Sequence, residues 1–436
     1  MLIEFSVKNY LSFKEKQTLS MVASPDDSLP QNVIHSAQGT KFNLLKSAAI
    51  YGANASGKSN LIKALNFMDQ FVSQSHQGQE DTLIPVTPFK LDVAWINQPS
   101  EFEIIFLWEG IRYRYGFMAD KKRVYEEWFF SCPKQKERIL FERRYDESSD
   151  QSKFKFGSHW KGGGKTLVKK VRLNALFISV AAQFNHPMAQ IILNWFSRKF
   201  RLVSWYPTEG MEIHYSNELA SKDEFKKLIL NFLKCADLGI SDFNVEKRII
   251  NKTSFKDNNL DEFENLPYVL KKNILQGAEI ISYNIMIFHQ TKDSEGSLHQ
   301  FSFQFDEESD GTQKIYSLSG PWLSVLMHGC ILAVDELDAR LHPLLTYALI
   351  KFFNNAQNKQ NAQLIFTIHD SSLLDQELFR RDQIWFTEKN PDENSTDLYS
   401  IWDIKEKPRK TDDLRKRYLT GRYGAIPFIG DFSRGE

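Results

Sequence analysis

The chain has 436 residues, 42% of them hydrophobic, enough to bury a full core and, at roughly 100–200 residues per domain, to imply two or three structural units. Its 55 Lys and Arg balance 55 Asp and Glu, so no global charge steers it to nucleic acid, and any such surface must be a local patch. The three cysteines, Cys132, Cys235 and Cys330, are too scattered for a disulfide framework or a metal-ligand spacing and read as inert thiols in a reducing compartment.

The first residues, "MLIEFSVKNYLSF", alternate apolar and polar side chains and lack the charged-then-apolar layout of a signal peptide. With no run of the roughly 18 apolar residues that a membrane span needs, a cytoplasmic location is expected. Met1 to about Val22 reads as two strands, "LIEFSVKNY" and "KQTLSMV", turning near Ser12 to Glu15. A polar loop leads to "SAAIYGANASGKSNLIKALNFMDQFV", which predicts a buried strand, a glycine-rich turn and an amphipathic helix.

Within that unit, Gly52-Ala-Asn54-Ala-Ser-Gly57-Lys58-Ser59 has the GxxxxGK[ST] spacing between strand and helix where a phosphate loop belongs. Glycines let backbone N–H groups wrap a phosphate, Lys58 neutralises its charge, and the Ser59 hydroxyl can ligate Mg²⁺. A second Gly164-Lys165-Thr166 has His159 where the leading glycine should stand, and reads as a loop with a basic flank.

From about Leu83 to Val171, "EFEIIFLW", "IRYRYGFM", "RVYEEWFF", "RILFERRY" and "KFKFG" predict an antiparallel meander. Asn174 to about Asn284 reads mainly helical, with Gly239 as the C-cap of the helix in "KDEFKKLILNFLKCADLG", and Asn284 to Phe305 returns to strand. "EESDGTQK" then precedes an apolar segment opening into Ile331-Leu-Ala-Val-Asp335-Glu336, a buried strand ending in two carboxylates of Walker B form. There Asp335 suits the Mg²⁺ shell and Glu336 suits polarising an attacking water. After one more helix, "AQLIFTIHD" places His369 at a strand's C-terminal end, the side where ligands sit in parallel sheets, and suggests a γ-phosphate sensor. The expected fold is α/β, an ATPase head interrupted by a large insertion: residues 1–82 carry Walker A, 83–284 form the inserted meander and helical region, and 285–436 complete the head.

The order of these motifs resembles ABC-type ATPases of the SMC, RecF and OLD kind. That resemblance implies ATP and Mg²⁺ as cofactors, Gly52, Asn54, Gly57, Lys58, Ser59 and Asn60 around the nucleotide, and Glu336 and His369 as catalytic residues. It also implies a signature loop, here Ser309 and Gly311, that reaches the γ-phosphate held by a second copy, so that ATP joins a homodimer. Two positions depart from the signature, Glu308 for its leading Leu and Asp310 for its first Gly, and the added carboxylate predicts slow turnover. Asp338 stands near the D-loop place, and no glutamine is assigned to a Q-loop.

More narrowly, "IEFSVKNYLSF", "IYGANASGKSNLIKAL", "VTPFKLD", "ESDGTQKIYSLSGP", "DELDARLHP", "FTIHD" and "RYLTGRYGAIPFI" resemble defence-associated ATPases of the RloA and AbiL type, related to the AriA subunit of PARIS. In such systems, a toxin–antitoxin-like arrangement, the ATPase works beside a separate effector, often a nuclease, when phage infection is sensed. The segment after His369 is too short for an added nuclease domain, which is consistent with an effector on another chain. Two alternatives stand beside this reading: a RecF-like DNA-repair or DNA-clamping ATPase using Lys161, Lys165, Lys169, Lys170 and Arg172 with Arg143 and Arg144, and an ATP-stabilised assembly scaffold with little turnover.

Overall fold

The structure, a computed structural model, describes residues 1–436 except 36, 38–39, 135, 204–210, 251–278, 356, 407, 410, 428 and 431–436. It is a mixed α/β chain of two compact units, one formed by Met1–Trp205 with Val325–Glu436 and the other by Tyr206–Ser324.

Two sheets build the first unit. The larger is antiparallel and seven-stranded, in the order Gln151–Phe156, Arg138–Asp146, Val124–Cys132, Ile111–Ala119, Ser100–Trp108, Leu2–Lys8, Gln17–Ser20. The predicted meander is present, and it continues the sheet of the N-terminal strands, because Leu2–Lys8 pairs with Ser100–Trp108 in a register that sets Phe5 opposite Ile104. The meander and the head therefore share one unit, and this division differs from the expected boundaries at residues 82 and 284.

The second sheet runs Phe200–Val203, Ile331–Val334, Gln363–Thr367, Ser47–Tyr51, Ile384–Lys389, Thr396–Ser400, parallel except for the last strand. Its central strands are buried along their whole length, as the "SAAIY" and "ILAV" runs require of parallel strands covered on both faces. Helix Lys58–Gln74 buries Leu61, Ile62, Leu65, Met68 and Val72, an i, i+3, i+4 stripe. The fully buried Gln363 side chain joins the two sheets, accepting the Leu2 N–H at 2.6 Å and donating to the Leu2 and Leu45 carbonyls.

The second unit holds helices Met211–Ala220 and Asp223–Cys235, an antiparallel sheet of Ile240–Ile250, Ile280–Lys292 and Leu298–Gln304, and the start of helix Asp310–His328. Ile240–Ile250, expected within the helical region, is a strand whose Phe243 is buried. Its alternation is masked in the sequence by the amphipathic helix just before it. That helix ends at Cys235 with Ala236 as its C-cap, ahead of a left-handed Asp237, so Gly239 serves the entry to the strand instead of capping the helix. The part of the expected helical region at 251–278 lies outside the described residues. One further expectation changes, since Gly164–Val168 is a short helix, while the three cysteines are free, Cys132 and Cys330 buried and Cys235 exposed.

Candidate functional site

The phosphate-loop residues sit where a buried strand meets a long helix. Strand Ser47–Tyr51 leads into Gly52, whose φ of 153° residues other than glycine rarely adopt, and the loop closes at Gly57 with φ 105° before the helix begins at Lys58. A Cβ on Gly52 would collide with the Thr387 carbonyl and come within 2.6 Å of the Ser56 hydroxyl, and one on Gly57 would collide with the Thr396 hydroxyl. Only glycine fits either position. The loop is braced from the neighbouring hairpin: the Ser56 and Thr387 hydroxyls are 2.7 Å apart, and the Thr396 hydroxyl donates to the Ser56 carbonyl at 2.8 Å. The N–H groups that open a helix have no partners within it, so this braced loop presents donors in the form that an anion needs.

Lys58 is buried and lies back across the loop, donating to the Gly52 carbonyl at 2.7 Å and the Ala53 carbonyl at 2.9 Å. Burial lowers its pKa to about 8, against the pull of Glu336, Asp335 and Asp338, whose charges favour the ammonium. Ser59 is half-buried at the next helical position and Asn54 is exposed on the loop. Asn60 turns elsewhere, its amide donating to Ser12 at 2.8 Å.

The two carboxylates after strand Ile331–Val334 differ in environment. Asp335 is buried and accepts a 2.6 Å hydrogen bond from the Thr367 hydroxyl, which in turn accepts the Glu336 N–H at 2.7 Å. Glu336 has a left-handed φ of 52°, a conformation that a non-glycine residue holds only when its surroundings impose it. This turn points the side chain outward, 47% exposed, with its carboxylate 3.9 Å from the His369 Nε2. Three adjacent parallel strands thus deliver Lys58, Asp335, Glu336 and His369 to one edge, with Asp338 beside them.

The cradle fits a phosphate because its two glycines leave room that a Cβ would fill, and the Ser59 hydroxyl and Asp335 carboxylate are the hard oxygen donors that Mg²⁺ prefers. Sequence reasoning missed Thr367, Thr387 and Thr396. Only Thr367 carried a signal, as the polar residue that ends an otherwise apolar strand.

Ser309 and Gly311 belong to the second unit. Ser309 caps the helix that begins at Asp310: its hydroxyl accepts the Thr312 N–H at 3.2 Å and its carbonyl accepts the Gln313 N–H at 2.9 Å, the arrangement of an N-cap serine. Glu308 is held by His289 at 2.6 Å within the same unit.

The basic surface considered for nucleic acid is smaller than its sequence implies. Arg143 is fully buried, 3.6 Å from Glu127 and donating to the Ala175 carbonyl, while Arg144 pairs with Glu126 at 3.1 Å. Arg172 donates to the Ser75 and His76 carbonyls. Lys161, Lys165, Lys169 and Lys170 are exposed. Among the described residues, no helix is long and apolar enough to cross a membrane and no cluster of His, Cys, Asp and Glu could hold a metal by itself.

Residues 47–375 match the family model described as "AAA domain, putative AbiEii toxin, Type IV TA system". No curated protein matches the chain. Among solved structures it is similar to an SMC head bound to the C-terminal winged-helix domain of ScpA (11% identity, 92% of this chain and 97% of that one, TM-score 0.41) and to the SMC head domain from Thermotoga maritima (10%, 92% and 98%, 0.38). It is also similar to the recombination mediator RecF with a bound ATP analogue (12%, 91% and 98%, 0.36).

Proposed function

This chain belongs to that AAA-domain family, and we propose that it binds ATP with Mg²⁺ and hydrolyses it slowly, as the switch of an anti-phage defence system of the RloA, AbiL and AriA kind. The observation that supports this most is the convergence of Lys58, Asp335, Glu336 and His369 at the ends of three adjacent parallel strands, under a loop that only glycine can form. Phosphoryl transfer is mainly positioning and charge stabilisation, and this edge has the groups for both.

Ser59 and Asp335 would hold Mg²⁺, which supplies charge neutralisation across the phosphates. Lys58 gives up two backbone carbonyls to meet the phosphates, which restore the charge partner that burial denies it. Glu336 reaches solvent and polarises the attacking water, and His369 beside it contacts the γ-phosphate. Ser309 and Gly311 act on the γ-phosphate of a second copy, so that ATP binding dimerises the chain. The dimer controls a separate effector, a nuclease, in response to a phage-encoded trigger.

Two experiments test this. In the first, chains carrying Lys58→Ala are mixed with chains carrying Ser309→Arg: partial recovery of turnover is expected if copies share sites, and no recovery at any ratio refutes sharing. In the second, the Glu336→Gln chain is pulled down with ATP from infected and uninfected cells: a co-purifying nuclease is expected, whereas DNA alone, lost at raised salt, supports the clamping alternative.

A further inference from the structure

The His369 side chain reaches the candidate site, and the Glu336 carboxylate lies beside it there. Its imidazole is 41% exposed and lies 3.9 Å from Glu336, too far for a hydrogen bond. Its position must therefore be set by its backbone, and that backbone is held by one side chain. Asp338, two residues beyond Glu336, accepts on a single oxygen, Oδ2, the N–H of His369 at 2.9 Å and that of Asp370 at 2.8 Å. Its other oxygen, Oδ1, is buried and has no hydrogen-bond partner among the described residues. Asp370 continues the arrangement by accepting the Ser372 N–H at 2.8 Å, which fixes the turn after the strand.

The same carboxylate touches the other half of the site electrostatically. Its charge favours the Lys58 ammonium and adds to the burial that holds the Tyr51 phenol well above its ordinary range, Tyr51 being the residue just before the phosphate loop. Asp338 thus stands between the turn that carries Glu336, the strand end that carries His369, and the base of the loop that carries Lys58.

We propose that Asp338 is a positioning residue that clamps the His369 and Asp370 amides and so fixes the imidazole relative to Glu336 for the hydrolytic step. This rests on the ATPase reading above, with Asp338 acting through His369 and making no contact of its own with the reacting atoms.

The test is a set of full-length variants. Asp338→Ala removes the acceptor, and kcat for ATP is expected to fall at least tenfold with KM changed less than threefold. Asp338→Asn keeps a carbonyl that can accept both N–H groups, and most of kcat should return. Adding Asp338→Ala to His369→Ala should lower kcat no further than His369→Ala alone, because the clamp reaches the hydrolytic step through His369, while the loss of its charge beside Lys58 is read separately in KM. A further loss in the double variant, or an Asp338→Asn chain as impaired as Asp338→Ala, would overturn the proposal. An independent readout needs no turnover: the His369 ring signal in a histidine-labelled NMR spectrum, assigned by its loss in His369→Gln, should move in Asp338→Ala and hold in Asp338→Asn. An unmoved signal in Asp338→Ala overturns the clamp, whereas a wild-type chain without ATP hydrolysis overturns the reading beneath it and leaves the clamp to be judged on that spectrum.

Discussion

Thr367→Val is the perturbation that separates hydrogen bonding from packing at this site. The Thr367 hydroxyl is fully buried, donates to Asp335 at 2.6 Å and accepts the Glu336 N–H at 2.7 Å. Valine keeps the shape and removes both bonds. A hydrogen bond to a charged group contributes about 1.5–3 kcal/mol and a buried N–H left unsatisfied costs about 1–3 kcal/mol. The methyl that replaces the hydroxyl returns at most about 0.8 kcal/mol of apolar burial. The net expectation is a loss of about 2–5 kcal/mol, together with release of Glu336 from its left-handed conformation and a fall in turnover of at least tenfold. Thr367→Ser keeps the hydroxyl and loses one buried methyl, at about 0.5–1.5 kcal/mol by analogy with Ile→Val. Urea unfolding followed by tryptophan fluorescence, with ATPase assays alongside, should therefore rank wild type above Ser above Val in both properties. Packing alone would reverse the last two, so a Val variant at least as stable and as active as the Ser variant refutes the reasoning.

Gly57→Ala forces a side chain into a φ of 105° and against the Thr396 hydroxyl, and nucleotide binding measured by calorimetry should be lost. The unliganded chain should also show a pH signature of Lys58. Its pKa in the folded state, about 8, lies below the ordinary 10.5, so between those values the unfolded chain binds more protons and stability rises with pH. Lys58→Met should flatten that rise in denaturation series run from pH 8 to pH 10, and an unchanged slope would remove Lys58 as its source.

How much of this was legible in the sequence depended on how local each signal was. The phosphate loop, the Walker B strand and the strand ending at His369 could be read because each is a buried β run with its chemistry at one end, and the structure sets all three side by side. The meander was legible from alternation, but its continuity with Leu2–Lys8 was not, because pairing across about a hundred residues leaves no mark in either strand alone. Asn60, which the resemblance sets around the nucleotide, donates its amide to Ser12, since a place along the helix does not fix the direction of a side chain. Arg143 looked like a surface cation until the meander's fold set it against Glu127 in the core. Thr387 and Thr396 brace the loop from more than three hundred residues away and could be found only in three dimensions.

The most direct test of the central claim is ATP turnover and ATP binding measured on the same preparations of wild type and Glu336→Gln. Hydrolysis by the wild type, its loss by a hundredfold or more in Glu336→Gln, and ATP affinity within threefold of wild type are the predicted results, because the substitution removes the group proposed to polarise water and spares those proposed to hold phosphate and Mg²⁺. Equal turnover by the two proteins would contradict the assignment of this edge as the hydrolytic site.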